Sequence, residues 1–113
     1  PFAIECAETL RRRTGQPVFL TLDKEGICPV SEEGHTIIPC PPVTGPIDIV
    51  GAGDSVTAGI VSSLVSGAEP REAAVIGNLV ASITIRQLGT TGTATPGQVL
   101  EAFASHESLY AGV

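Results

Sequence analysis

At 113 residues, 42% of them hydrophobic, the chain can bury the core of one domain and no more. Twelve acidic against six basic side chains leave a net charge of −6, which argues against nucleic-acid and anionic-membrane partners. The three cysteines, Cys6, Cys28 and Cys40, lack Cys-x-x-Cys spacing and clustered histidines, so neither a zinc site nor a disulfide scaffold is expected, and a reduced, cytoplasmic protein is the simplest reading.

Residues 2–14 predict a helix, with Phe2, Ile4, Ala7 and Leu10 apolar between charged positions and Gly15 closing the run. Arg11, Arg12 and Arg13 fall in its last turn, where the dipole favours cations, so a solvated turn is expected there. Residues 17–22 form an apolar run of the kind buried on both faces of a parallel sheet. The turn 23–26 leads to a strand at 27–30, and a second turn at 31–34 to a strand at 35–40. Residues 39–46 hold four prolines and Gly45 and make an extended connector. It delivers the chain to a strand at 47–50 and then to glycines.

A helix is expected over 54–66, a second from Glu69-Pro70 to about Leu88, and a third opening at Pro96-Gly97-Gln98. The tail after Ser105 is expected to fray. His35 and His106 have no partner at a meaningful spacing and are expected to be surface or strand residues. Strands, a glycine turn and three helices make an α/β layout with helices packed on the sheet. No apolar run reaches transmembrane length.

The chemistry concentrates in Asp48-Ile49-Val50-Gly51-Ala52-Gly53-Asp54-Ser55. Gly51 and Gly53 carry no side chain, so backbone N–H groups can converge at the start of the following helix. A helix start with unpaired amides and a positive dipole end is an anion site. Asp54 sits at the cap or in the first turn of that helix, and is either merely its N-cap or a carboxylate beside a bound anion, placed to take a proton from an attacking hydroxyl.

The run Asp-x-x-Gly-Ala-Gly-Asp-x-x-x-x-Gly, from Asp48 to Gly59, resembles the C-terminal signature of the ribokinase-type (PfkB) carbohydrate kinases. The resemblance implies the C-terminal part of a ribokinase-like three-layer α/β/α fold, residues 1–113 being a fragment of a larger domain. It also implies Asp54 as catalytic base, Gly51, Ala52 and Gly53 as an anion hole, ATP with Mg2+ as cofactor, and a sugar or sugar phosphate as substrate. Asp48 matches an Asp of the family's monovalent-cation site, so K+ is a further candidate. Ile49-Val50, however, lacks the usual threonine.

Thr21-Leu22-Asp23-Lys24-Glu25-Gly26 is similar to the family's Thr-Leu-Gly-x-x-Gly segment, which implies nucleotide contacts from Thr21 and Gly26. Asp23 replaces the first glycine and brings a negative charge, so an exposed hairpin turn is the other reading. Asn78 lies where the family borders the adenine pocket, or else on a polar stripe with Arg71 and Glu72. The run from Asn78 and the loop from Leu88 to Pro96 resemble the kinase half of bifunctional heptose-phosphate kinase/adenylyltransferases. An N-terminal part carrying the sugar pocket and lid is the expected partner, and the isolated 113 residues are expected to be inactive. Two other classes stay open: a non-catalytic phosphate- or nucleotide-binding module, and an interaction piece whose sheet edge pairs with a partner or a second copy, as in a homodimer.

Overall fold

The computed structural model describes residues 2–90 and 92–113; Pro1, and Thr91 of the Thr/Gly loop, lie outside the described residues. Helix α1, Phe2–Thr14, ends as expected: Gly15 takes a positive φ of 70° and its N–H closes on the Arg11 carbonyl at 2.8 Å. Strands β1, Val18–Thr21, and β2, Ile27–Ser31, pair antiparallel, with Leu20 opposite Cys28 and Val18 opposite Val30. The parallel-sheet expectation for the first strand is therefore corrected. β2 is nonetheless buried on both faces, because helices cover both.

Alternation along the strands sorts the core. Cys28 and Val30 point with Val18 and Leu20 toward Ile4 and Ala7 of α1. Ile27 and Phe19 point the other way, into a cluster with Ile60, Ala73, Ala74 and Leu79. Ile27, Ile38 and Leu79 are among the largest fully buried side chains, each contributing about 2 kcal/mol by area. The layers are thus α1, the sheet, and a helical layer of α2, Ala52–Val65, and α3, Pro70–Thr84.

The two helices meet at glycines. A Cβ on Gly59 would lie 3.3 Å from Gly77 Cα, and one on Gly77 would lie 3.0 Å from Ile60 Cγ1 and 3.2 Å from Ile27 Cδ1. Gly77 therefore lets α3 touch both α2 and β2.

The third strand is shorter than its sequence suggests. Only Gly34–His35, here β3, pairs with β2, followed by a lone bridge between Ile27 and Ile38. Pro39 has no N–H to extend a ladder. The backbone there is held from the helical side instead. Asn78 Nδ2 donates to the Ile38 carbonyl at 2.9 Å and to the Pro39 carbonyl at 3.2 Å. His35 has a partner that its spacing concealed, Glu8 Oε1 at 2.9 Å on α1.

Among the described residues 47–50 form no strand. The segment is anchored by Asp48 instead. The Asp48 N–H donates to the Ile85 carbonyl at 2.7 Å, Oδ1 accepts from Val50 N–H and Oδ2 from Gly89 N–H, both at 3.0 Å. α3 stops at Thr84 rather than continuing to 88, because the chain tightens through Arg86 to Ile83 and Gln87 to Thr84 bonds.

The last helix, α4, Pro96–Ser105, opens with a reciprocal cap: Gln98 N–H on Thr95 Oγ1 at 3.2 Å and Thr95 N–H on Gln98 Oε1 at 2.8 Å. The tail does not fray. Glu107–Tyr110 forms a further turn, with Tyr110 only 5% exposed. Its hydroxyl donates to the Pro39 carbonyl at 2.8 Å, and its ring stacks on Phe103 with centroids 6.4 Å apart.

Two outcomes follow from these contacts. Gly26 has a φ of 107°, and a Cβ there would fall 2.0 Å from the Ile38 oxygen, so Gly26→Ala must break the Ile27–Ile38 bridge. Urea denaturation should show a loss of about 3 kcal/mol or more.

The amides of Val50, first, and Gly89 hold the Asp48 carboxyl below its ordinary value of 3.8. A depressed folded-state pKa stabilises the fold above the unfolded value, and that stabilisation drains as pH falls through the folded one. The stability gap between wild type and Asp48→Asn is therefore full at neutral pH and should close below about pH 4 in unfolding titrations.

Candidate active site

The glycine turn and the start of α2 are contiguous. Gly51 caps the helix in the left-handed region, φ 81°, ψ 0°, where a side chain would be strained. Ala52 N–H donates to the Ile49 carbonyl at 3.0 Å, and Ser55 N–H to the Gly51 carbonyl at 3.0 Å. Ala52 therefore already has an acceptor, which amends its expected share in an anion hole. Gly53 and Asp54 occupy the next two positions, where a helix offers its own N–H groups no acceptor. Gly53 is exposed, and a Cβ added to it would meet nothing within 4 Å.

Helix α2 starts two residues before the expected position 54. The cap is Gly51, and Asp54 stands in the first turn with its side chain exposed. A carboxylate there is favoured by the dipole, but the reading of Asp54 as N-cap is corrected. What the arrangement offers is a pair of amides without a helical acceptor and an exposed carboxylate at one helix end. These are the groups that an anion site with a proton acceptor requires.

Asp48 lies behind this turn, half-buried, with one amide on each carboxylate oxygen. Each oxygen keeps a second lone pair, so Asp48 could still contribute to a monovalent-cation site. Among the described residues no group of three His, Cys, Asp or Glu side chains could hold a metal ion.

The remaining candidates sit elsewhere. Thr21 is exposed at the end of β1, opposite Ile27, and Gly26 is buried under the Ile38 backbone. No hydrogen bond joins either to the glycine turn among the described residues. Between them, Asp23 adopts a φ of 50°, a conformation glycine takes at less cost and Asp tolerates better than most residues.

Asn78 is 3% exposed with its amide engaged by two carbonyls. This corrects the polar-stripe reading with the exposed Arg71 and Glu72. Asn78 Nδ2 is committed to fastening the connector. Sequence reasoning missed Gln87, Gly89 and Tyr110. Their partners lie across loops or far along the chain, and no periodicity marks them.

Three further groups are displaced from their ordinary ionisation, the first being Cys28, whose thiol burial pushes up. Burial pushes the Cys40 thiol up, and burial together with Cys40 raises the Tyr110 hydroxyl, keeping it a neutral donor to Pro39. All three cysteines are free thiols.

The pfkB family carbohydrate kinase model matches residues 3–96. The uncharacterized sugar kinase YegV of Escherichia coli (strain K12) is 36% identical over 86 residues, covering 76% of this chain and 26% of that protein. The bifunctional protein HldE of Coxiella burnetii (strain Dugway 5J108-111) is 32% identical over 81 residues, covering 72% of this chain and 17% of that protein. The chain thus spans about a quarter or less of the length of these curated relatives. Among solved structures, the nucleoside kinase of Methanocaldococcus jannaschii, an archaeal member of the ribokinase family, superposes with a TM-score of 0.73 at 30% identity, over 80% of this chain and 30% of that one. The three-layer arrangement, the glycine turn leading into α2 and these similarities agree: the chain has a ribokinase-like α/β fold and belongs to the pfkB family of carbohydrate kinases.

Proposed function

We propose that this chain supplies the phosphoryl-transfer end of an ATP-dependent carbohydrate kinase. The observation that carries the reading is the start of α2, where the Gly53 and Asp54 amides, which have no helical acceptor, and the exposed Asp54 carboxylate share one helix end behind a left-handed Gly51. Family membership makes the reaction class transfer of the ATP γ-phosphoryl group to a sugar hydroxyl.

In this mechanism Asp54 accepts a hydrogen bond from the sugar hydroxyl, aligns its oxygen on phosphorus and takes the proton late. The Gly53 and Asp54 amides, with Gly51 shaping the turn, face the charge that develops on the phosphoryl oxygens. Mg2+ bound with the nucleotide offsets phosphate charge. Asp48 is suited to hold K+ beside the turn. The Thr21–Gly26 hairpin turn is the proposed nucleotide-side contact, where the Asp23 carboxylate would repel a polyphosphate.

The resemblance of the Asn78 run and the loop from Leu88 to Pro96 to heptose-phosphate kinase/adenylyltransferases supports a sugar phosphate as acceptor; the similarity to YegV supports a sugar kinase more broadly. The substrate pocket is assigned to a further N-terminal part of the kinase. Apolar side chains around the turn and on α2 support such a partner: Ile49 is 71% exposed, Val50 69% and Val65 83%. A non-catalytic phosphate-binding module has less support, because Gly51 rather than Asp54 is the cap. A homodimer through the β1 edge and a cytoplasmic setting are added proposals; among the described residues no helix is long and apolar enough to cross a membrane.

The test uses the full-length kinase with ATP and a panel of sugars and sugar phosphates. Asp54→Asn should lower turnover by about 10²–10⁴-fold while nucleotide binding persists. Turnover within a few-fold of wild type would remove Asp54 as the base.

A further inference from the structure

The loop after α3 returns past its own helix end, and one side chain grips it on both sides of a residue. Gln87 Nε2 donates to the Thr93 carbonyl at 2.6 Å, and Gln87 Oε1 accepts from Thr93 N–H at 3.1 Å. A carboxamide carries one acceptor and one donor side by side, so it can engage both backbone groups of one residue, as a neighbouring strand would. Next to Thr93, Gly92 is pressed against the helix end: a Cβ there would stand 2.6 Å from the Thr84 oxygen and 2.9 Å from its Cα. Thr93 is therefore held in one register against α3.

Gly89 lies between these fixed points. Its φ is 73°, and its N–H is the donor to Asp48 Oδ2. Asp48 in turn receives Val50 N–H on its other oxygen and donates its own N–H to Ile85. Val50 immediately precedes Gly51, the cap of the helix that carries Asp54. Two sets of hydrogen bonds, Gln87 with Thr93 and Gly89 through Asp48 to the glycine turn, are thus joined by the two backbone steps from Gln87 to Gly89.

We propose that Gln87 is a positioning residue for the kinase site: by clasping Thr93 it holds Gly89 on Asp48 and so fixes the glycine turn that presents Asp54. The inference rests on the kinase reading for its effect on rate, but not for its effect on structure. Without the clasp, Gly89 regains backbone freedom and Asp48 loses one of two amide donors. Asp54 and the Gly53 amide are then presented in a spread of orientations. Small misplacements at a reacting centre are costly to rate, even when far from the altered residue.

The experiment compares wild type, Gln87→Ala and Gln87→Glu in the full-length kinase, with kcat and KM measured beside amide hydrogen exchange at Gly89, Val50 and the β2 residue Val30. Gln87→Ala should lower kcat about tenfold with KM for the sugar nearly unchanged, and speed exchange at Gly89 and Val50 about tenfold. Exchange at Val30 should stay as in wild type, which separates lost positioning from general unfolding. Gln87→Glu keeps an acceptor for Thr93 N–H but loses the donor to its carbonyl, and should fall between. Unchanged kcat in Gln87→Ala, or exchange at Gly89 no faster than wild type, overturns the proposal. If wild type phosphorylates nothing, the kinase reading fails, and the exchange rates alone decide whether Gln87 holds the turn.

Discussion

One carboxylate with an amide on each oxygen holds the functional end of this fold together. Asp48 accepts from Val50 on its own side of the glycine turn and from Gly89 beyond α3. Charge-assisted bonds of this kind are stronger than neutral ones, and they hold the carboxyl ionised. With Val50 fixed, Gly51 can turn left-handed, α2 starts at Ala52, and Asp54 falls in the first turn rather than at the cap.

The body of α2 is located independently. Gly59 and Gly77 let α2 and α3 approach until backbone meets backbone, and Gly77 also admits Ile27 of β2. On the far side of the sheet α1 covers Cys28 and Val30. The helix that carries Asp54 is thus fixed along its length by apolar packing and at its start by Asp48. The connector that leads into the turn is fixed in the same divided way. Asn78 from α3 and Tyr110 from the final turn both donate to the Pro39 carbonyl. Where prolines remove backbone donors, side chains supply them.

This division explains what could be read from the sequence. α1, β1, β2 and α4 follow local rules: apolar spacing, a glycine stop, a proline in the first turn. The glycine turn was legible because its chemistry lies within eight neighbouring residues, Asp48 to Ser55. The misreadings have long-range causes. The strand expected at 35–40 stops early because Asn78 and Tyr110, 39 and 71 residues from Pro39, take over its backbone. The tail that looked frayed is packed because Tyr110 has that carbonyl to reach. α3 ends four residues before the expected position 88, where the chain turns so that Asp48 can meet Ile85 and Gly89. Asp23, where the resemblance expects glycine, occupies a positive φ that glycine adopts more easily. The backbone of that turn survives the substitution even though its charge differs.

The central claim is that the open amides at the start of α2 receive the transferred phosphoryl group. The most direct measurement is the backbone amide NMR spectrum of the full-length protein titrated with MgADP, aluminium fluoride and a sugar acceptor, which together mimic the group in flight. The account predicts that the Gly53 and Asp54 amides shift as the complex forms, while Val65, at the other end of α2, stays in place. Saturable binding that leaves Gly53 and Asp54 unmoved would contradict it.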